Sequence, residues 1–278
     1  MTDDTHEITE VEARSIMRVL GKVEGEFAVS TAFPIFWTIR EAHQQYRARN
    51  GTGFALDTGE RMFGVTANHV LEGWRADRST RHVGPLQIGD LSFDPDGRNA
   101  IIAAHPGIDI ATFQISPDQV RQLGKTVIRG YQRGWPPIAP QQDRGIYHAG
   151  FPGKERIWVS PRAISFGASY GGGVASGVSE LDVSSLIERD QIMPVEGLTL
   201  PPENYDFRGI SGGPMLSVIE HQGLRTWALA GVIYQGPNTS DDPSESIPGL
   251  EIIKARRAHF ILPDGRLDKE RWDSVQPW

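Results

Sequence analysis

From residue 27 onward the chain is written in short β-prone runs broken by Gly, Asp and Pro, and this texture limits the folds open to it. The runs include Ala32 to Ile39, Gly53 to Leu56, Arg61 to Thr66 and Ile110 to Ile115. With 31 Gly and 19 Pro available for turns, many short strands point to an all-β sandwich or barrel rather than to alternating βαβ units. The Pro-rich stretch from Trp135 to Gln142 can continue neither a helix nor a central strand, and it divides the β-rich region into two comparable parts. It reads as a connection between two barrels; the alternative is a surface loop within one domain. Strand patterns resume at Gly145 to Phe151 and Arg156 to Ser160. Met215 to Ile219 and Leu224 to Tyr234 then flank Glu220-His221-Gln222-Gly223 as a hairpin. At the two ends the period changes. Val11, Ile16, Val19 and Leu20 recur at helical spacing within Ile8 to Val23, a leader that packs on the body or docks a protein partner. Glu251 to Phe260 and Leu267 to Trp272 also read as helical. The expected organisation is a helical leader over 1–26, a first β-barrel over 27–130, a linker and second barrel over 131–250, and a helical segment over 251–278.

A chain of 278 residues can bury a full core in one large domain or two packed halves. Its longest apolar stretch, Phe33 to Ile39, falls far short of the roughly 20 residues of a membrane-spanning helix, so no membrane association is expected. The acidic start Met1 to Glu7 lacks the basic residues and apolar core of a secretory signal, which makes the cytoplasm the expected location. The absence of cysteine excludes disulfides. A net charge of -7 argues against nucleic acid as the main partner, although Lys254, Arg256 and Arg257 leave a local basic surface patch open. With no cysteine and no closely spaced histidine pair a zinc site has no support. Asp94-Pro95-Asp96-Gly97-Arg98-Asn99 reads as a tight turn, because its glycine comes too early for a calcium loop and no closing carboxylate follows. No metal and no cofactor are expected.

The strongest local feature is Arg208-Gly209-Ile210-Ser211-Gly212-Gly213-Pro214, set between a polar loop and the apolar run from Met215. A nucleophilic serine must present its Oγ to a carbonyl while backbone N–H groups face the oxygen that becomes negative. Gly209 tolerates unusual φ, so its N–H can turn toward that oxygen beside the N–H of Ser211. Gly212 and Gly213 permit close approach of backbone and substrate. Serine needs a base, and among the eight histidines His69 stands apart, following Phe63-Gly64-Val65-Thr66-Ala67 at the end of an apolar strand. The others, at 6, 43, 82, 105, 148, 221 and 259, mostly sit in polar or turn-like neighbourhoods. A carboxylate must then fix the imidazole tautomer by accepting from Nδ1. Asp109, between the turn Ala104-His105-Pro106-Gly107 and the apolar strand from Ile110, is the candidate; capping a turn is its alternative role.

Taken together these segments resemble the trypsin-like serine peptidases. Thr66-Ala67-Asn68-His69-Val70, Asp109-Ile110-Ala111 and Gly209-Ile210-Ser211-Gly212-Gly213-Pro214 are similar to the family's three motifs and occur in its order. Gly51-Thr52-Gly53-Phe54, Gly150-Phe151-Pro152 and Leu229-Ala230-Gly231-Val232-Ile233 match in support. The resemblance spans roughly residues 27 to 250. It implies two packed six-stranded antiparallel β-barrels, flanked here by N- and C-terminal helices. It further implies a serine endopeptidase acting on protein or peptide through His69, Asp109 and Ser211, with Gly209 and Ser211 as the oxyanion hole. The primary pocket it implies lies between Tyr205 and Asp206 on one side and Tyr234, Gln235 and Gly236 on the other, with a small or apolar residue expected before the cut.

Two departures carry information. Asn68 replaces a small residue, a mild change. Ile210 stands where the digestive members have an acid that pairs with a newly cut N-terminus, and no Ile-Val-Gly-Gly-like start occurs near residue 27. The expectation is a site assembled without zymogen cleavage and a closer similarity to the disulfide-free bacterial members without an appended PDZ domain. The alternatives are a catalytically silent binding or regulatory protein on the same fold, and an α/β-hydrolase elbow at Gly167-Ala168-Ser169-Tyr170-Gly171. The elbow needs a helix directly after it, whereas the glycines from 171 to 173 disfavour one.

Overall fold

The computed structural model describes residues 9–41, 45–130, 134–160, 163–194, 200–203, 205–221, 224–237 and 251–276. Residues 1–8, with the start of the leader, and Gln222 and Gly223 of the expected hairpin turn lie outside them. No described helix is long and apolar enough to cross a membrane.

The first half contains β1 (Ala32–Arg40), β2 (Tyr46–Asp57), β3 (Met62–Thr66), β4 (His82–Val83), β5 (Leu86–Ile88), β6 (Leu91–Phe93), β7 (Ile101–His105), β8 (Ile110–Phe113) and β9 (Ile128–Arg129). They form one sheet in the order β6-β5-β1-β2-β3-β8-β7, with β4 on β1 and β9 beside β2. The second half contains β10 (Gly145–Gly150), β11 (Arg156–Ser160), β12 (Ala163–Phe166), β13 (Ser169–Val174), β14 (Gly177–Val178), β15 (Asp182–Leu186), β16 (Pro214–His221), β17 (Leu224–Gln235) and β18 (Ile252–Arg257). Its sheet runs β13-β10-β16-β17-β18-β15-β14, and β11 pairs with β12 as a separate hairpin. Two curled, almost wholly antiparallel sheets with few helices make this a two-barrel, trypsin-like all-β fold. Short strands such as β4 and β9 raise the first sheet to nine strands, and the second has seven.

Period-two alternation explains how each strand serves two cores. Phe33, Ile35, Trp37 and Ile39 of β1 point into a cluster inside the first sheet with Ala55, Leu71 and Phe113. On β2 the neighbours of Ala55, Phe54 and Leu56, face the opposite way. They join Phe63, Val65, Ile110, Phe151, Leu229, Val232 and Phe260 in a cluster between the halves. A third cluster, including Ile146, Ile210, Met215, Ile233 and Ile253, fills the second sheet. Each such side chain removed from water contributes about 1.5–3 kcal/mol, so the junction is a core in its own right.

Both ends differ from the sequence expectation. The first helix, α1 (Glu10–Thr31), begins at a capping box between Thr9 and Glu12 and runs straight into β1. Its C-terminal half is what packs: Glu24, Gly25, Ala28 and Thr31 are buried, and Phe27 stacks on Trp227 at 4.6 Å. Val11, Ile16 and Val19, the periodic residues that suggested the packing face, are exposed. Glu251 to Phe260, expected to be helical, contains β18 instead. Ala, Lys and Arg are good helix formers, but Ile253 and Ala255 alternate into the second core while β18 pairs with β15 and β17. Tertiary pairing overrides the local preference. The basic cluster is likewise not a surface patch, since Arg256 and Arg257 are buried. The last helix, Lys269–Val275, is capped by Asp268 and buries Trp272 in the junction.

Candidate active site

His69 is the second residue of α2 (Asn68–Thr80), a helix the sequence reading did not foresee, although Val70, Leu71, Trp74 and Asp77 are its buried side. The helix starts at Ala67, which has no side-chain cap, and its first N–H groups are served from the turn before β8. Asn68 N–H donates to the Asp109 carbonyl at 3.3 Å, and His69 N–H donates to Asp109 Oδ1 at 2.9 Å. A carboxylate at a helix N-terminus is also favoured by the helix dipole. The other oxygen, Oδ2, lies 2.7 Å from His69 Nδ1, the geometry of an Nδ1–H donating to a carboxylate. Asp109 thereby holds both the backbone and the ring of His69. Its own backbone sits at φ 55°, a left-handed conformation that Asp tolerates better than most residues. The turn is fixed by Asp109 N–H donating to His105 O at 2.9 Å and Ile108 N–H donating to His105 Nδ1 at 3.1 Å. The Asp109 side chain is 17% exposed and that of His69 49%, so the imidazole faces open solvent.

Ser211 lies on the loop before β16, which is clamped from the opposite half. Thr52 of β2 makes two of the contacts and a third to the neighbouring segment after β10. Its N–H donates to Ser211 O at 2.8 Å, its Oγ1 donates to Gly209 O at 2.8 Å, and the same oxygen accepts from Phe151 N–H at 3.0 Å. The glycines are required by this closeness. A Cβ on Gly212, at φ 88°, would lie 2.0 Å from Thr52 O, and one on Gly213 would lie 2.2 Å from Ala149 O. Gly212 and Gly213 therefore serve backbone-to-backbone approach rather than approach of a substrate. Gly209 adopts φ 111°. Among the described residues, its N–H and that of Ser211 have no hydrogen-bond acceptor, while those of Ile210, Gly212 and Gly213 are all satisfied.

His69, Gly209, Ser211, Asp206 and Tyr234 line one cleft of about 620 Å³ across the junction, with Asp109 directly behind His69. Ser211 Oγ donates to Tyr234 O at 3.4 Å, its one hydrogen bond among the described residues. Of the expected pocket residues, Asp206 and Tyr234 face the cleft and Tyr205, Gln235 and Gly236 do not. Tyr205 turns aside, its hydroxyl donating to Glu155 and its ring against Phe207 at 4.8 Å. Burial, and then the Glu155 carboxylate, push the Tyr205 phenol well above its usual range. Arg208 holds Asp206 below the usual carboxylate range despite burial.

Two supporting residues escaped the sequence reading. Thr52 was noted only as part of Gly51-Thr52-Gly53-Phe54. Arg256 is sandwiched between Tyr234 at 4.8 Å and Trp272 at 4.7 Å, pairs with Asp182 at 2.7 Å, and donates through Nε to Ile108 O at 3.0 Å, next to Asp109. No local pattern announces such a residue, since its partners lie up to 148 positions away. Ser169, the serine of the competing elbow pattern, lies on strand β13 with no helix after it.

No protein-family model matches the sequence, and no curated protein matches it. Among solved structures the chain is similar to the serine protease domain of the Sesbania mosaic virus polyprotein, with 15% identity over 84% of this chain and 92% of that one and a TM-score of 0.41. A second similar structure concerns aromatic interactions that drive the coupled folding and binding of the intrinsically disordered Sesbania mosaic virus VPg protein, with 13% identity over 84% and 94% and a TM-score of 0.40.

Proposed function

We propose that the chain is a serine endopeptidase in which His69, Asp109 and Ser211 act as the triad and the N–H groups of Gly209 and Ser211 as the oxyanion hole. The observation that carries this reading is the two-point hold of Asp109 on His69, facing a cleft shared with Ser211 and two unsatisfied N–H groups. In the reaction Ser211 Oγ turns from Tyr234 O toward His69, which takes its proton as Oγ attacks a peptide carbonyl. The developing oxyanion accepts from the two N–H groups, and Asp109 stabilises the imidazolium. His69 then passes the proton to the leaving amine, and water hydrolyses the acyl-enzyme by the same route in reverse.

The division into a first barrel over 27–130 that supplies His69 and Asp109 and a second over 131–250 that supplies Ser211 belongs to this proposal. Ile210 supports a site that needs no zymogen cleavage, because it is 2% exposed within the second core rather than waiting for a charged partner. The bacterial, disulfide-free type is the nearest pattern for such a site. Tyr205, parked against Glu155, leaves room for a small or apolar residue before the cut. A second reading, a catalytically silent binding protein, draws on the Ser211 hydrogen bond to Tyr234 rather than to His69. Peptide hydrolysis by the intact chain separates the two. Asp109→Asn should lower kcat by about 10⁴ through loss of the correct imidazole tautomer, and hydrolysis that survives Asp109→Asn and Ser211→Ala would defeat the triad.

A further inference from the structure

The chain is acidic, with net charge -7, yet the cleft that holds His69 and Ser211 is cationic. Arg47, Arg49, Lys154, Arg156 and Arg208 line it, and Asp206 is its lining carboxylate; Asp77 and Asp109 stand behind Arg49 and His69. The cations come from three elements that are locked to one another. Arg156 Nε donates to Gly153 O at 2.8 Å and its guanidinium also reaches Ala48 O on β2. Gly153 N–H donates to Arg208 O at 2.7 Å. Arg49 leans on Asp77 at 3.2 Å and Arg208 pairs with Asp206 at 2.9 Å. Arg47 and Lys154 are exposed and, among the described residues, make no direct ion pair, Lys154 acting on Asp206 from farther off. Burial, and then the charge of Arg47, hold the Arg156 guanidinium below its usual value, which places like charges together across the wall. A cleft lined by one sign concentrates the field and draws in the opposite charge, and guanidinium forks match carboxylates.

We propose that this wall binds the substrate segment after the scissile bond and selects acidic side chains there. The inference rests on the peptidase reading for its direction. The residue before the cut is read at the Tyr234 end. Gly209 separates that end from β2 and the turn after β10, for a Cβ on it would lie 2.7 Å from Asn50 Nδ2 and 2.9 Å from Gly153 N. A peptide crossing Ser211 from Tyr234 therefore leaves past Arg47, Arg49, Lys154 and Arg156.

The test uses full-length protein and peptides that differ only in carrying Asp-Asp, Ala-Ala or Lys-Lys. Binding is measured by fluorescence anisotropy on Ser211→Ala, and kcat/KM on wild type. The expected result is a preference of about tenfold for Asp-Asp over Ala-Ala, the scale of two partly exposed ion pairs. It should shrink at 1 M salt, where the Debye length is about 3 Å. The double variant Arg47→Glu, Lys154→Glu should shift it toward Lys-Lys, and moving the acids before the cut should remove the gain in kcat/KM. Equal binding of the three peptides overturns the proposal. So does tight binding of a single-stranded oligonucleotide with no preference for Asp-Asp over Ala-Ala, which would assign the wall to nucleic acid. Fluorophosphonate labelling of the wild type reads the peptidase proposal separately. Labelling without the acidic preference overturns the wall alone; the preference without labelling upholds the wall and overturns the peptidase.

Discussion

The loop that carries Ser211 and the loop behind His69 reach unusual backbone conformations by different means. The loop around Ser211 places its positive φ angles on Gly209 and Gly212, so its shape is inscribed in its own residues. The loop before β8 places its positive φ on Asp109 itself, and its shape depends on partners: the His105 ring within the turn, the start of α2, and Arg256 from the far half. A special conformation carried by glycine is visible in a sequence, whereas one imposed by tertiary contacts is not. The loops are also tied reciprocally. Thr52 of the first half holds the serine loop, and Arg256 of the second half holds the segment ahead of Asp109.

Among the changes in stability, the greatest comes from cutting the second tie. Arg256→Ala leaves Asp182 with the Tyr234 hydroxyl and Lys254 but no guanidinium, and Ile108 O without its donor, and should cost about 3 kcal/mol, near the lower end for breaking a buried pair because Asp182 keeps these partners and some water. Urea unfolding measures it. Hydrogen exchange should show protection lost at residues 105–110 before it is lost at 209–213; the opposite order would break the comparison.

Acid challenges the second half next. Burial lowers His148 on β10 to a pKa of about 4, and burial followed by the Arg257 charge does the same for His259 after β18. Folded values below the unfolded value near 6.5 mean that the folded state binds fewer protons. This stability is present above pH 6.5 and is lost as pH falls toward about 4, by at most about 3 kcal/mol for each histidine. Glu24 and Asp182, raised by burial, act in the opposite sense as pH falls toward their ordinary carboxylate range. The histidine share is therefore read as the flattening of the urea midpoint between pH 7 and 4.5 in His148→Gln and His259→Gln. An unchanged slope would contradict it.

The smallest expected effect on stability sharpens the other tie. Thr52→Val keeps the shape but leaves Gly209 O and Phe151 N–H unpaired, costing about 1–3 kcal/mol. Peptide hydrolysis should fall more than stability predicts, because the lost bonds position Gly209. Activity equal to wild type in a folded variant would show that the glycines alone hold the serine loop.

This contrast also explains what the sequence disclosed. The alternation of Phe33, Ile35, Trp37 and Ile39 and the turns between runs made the all-β, two-part architecture legible, and the glycines around Ser211 marked the nucleophile loop. Asp109 was found through its order relative to the other motifs rather than through any local sign of its conformation. Segment 251–260 misled because a run of good helix formers was drawn into strand by pairing with β15 and β17. Arg256 read as surface charge for the same reason, its partners being visible only once the halves meet.

Intact-mass analysis of the uncut chain after exposure to a fluorophosphonate reads the assembly of His69, Asp109 and Ser211. A junction-assembled site predicts one adduct per chain on Ser211, absent in Ser211→Ala and much slower to form in Asp109→Asn. A folded wild-type chain that gains no adduct, or gains one only after an N-terminal cut, would contradict it.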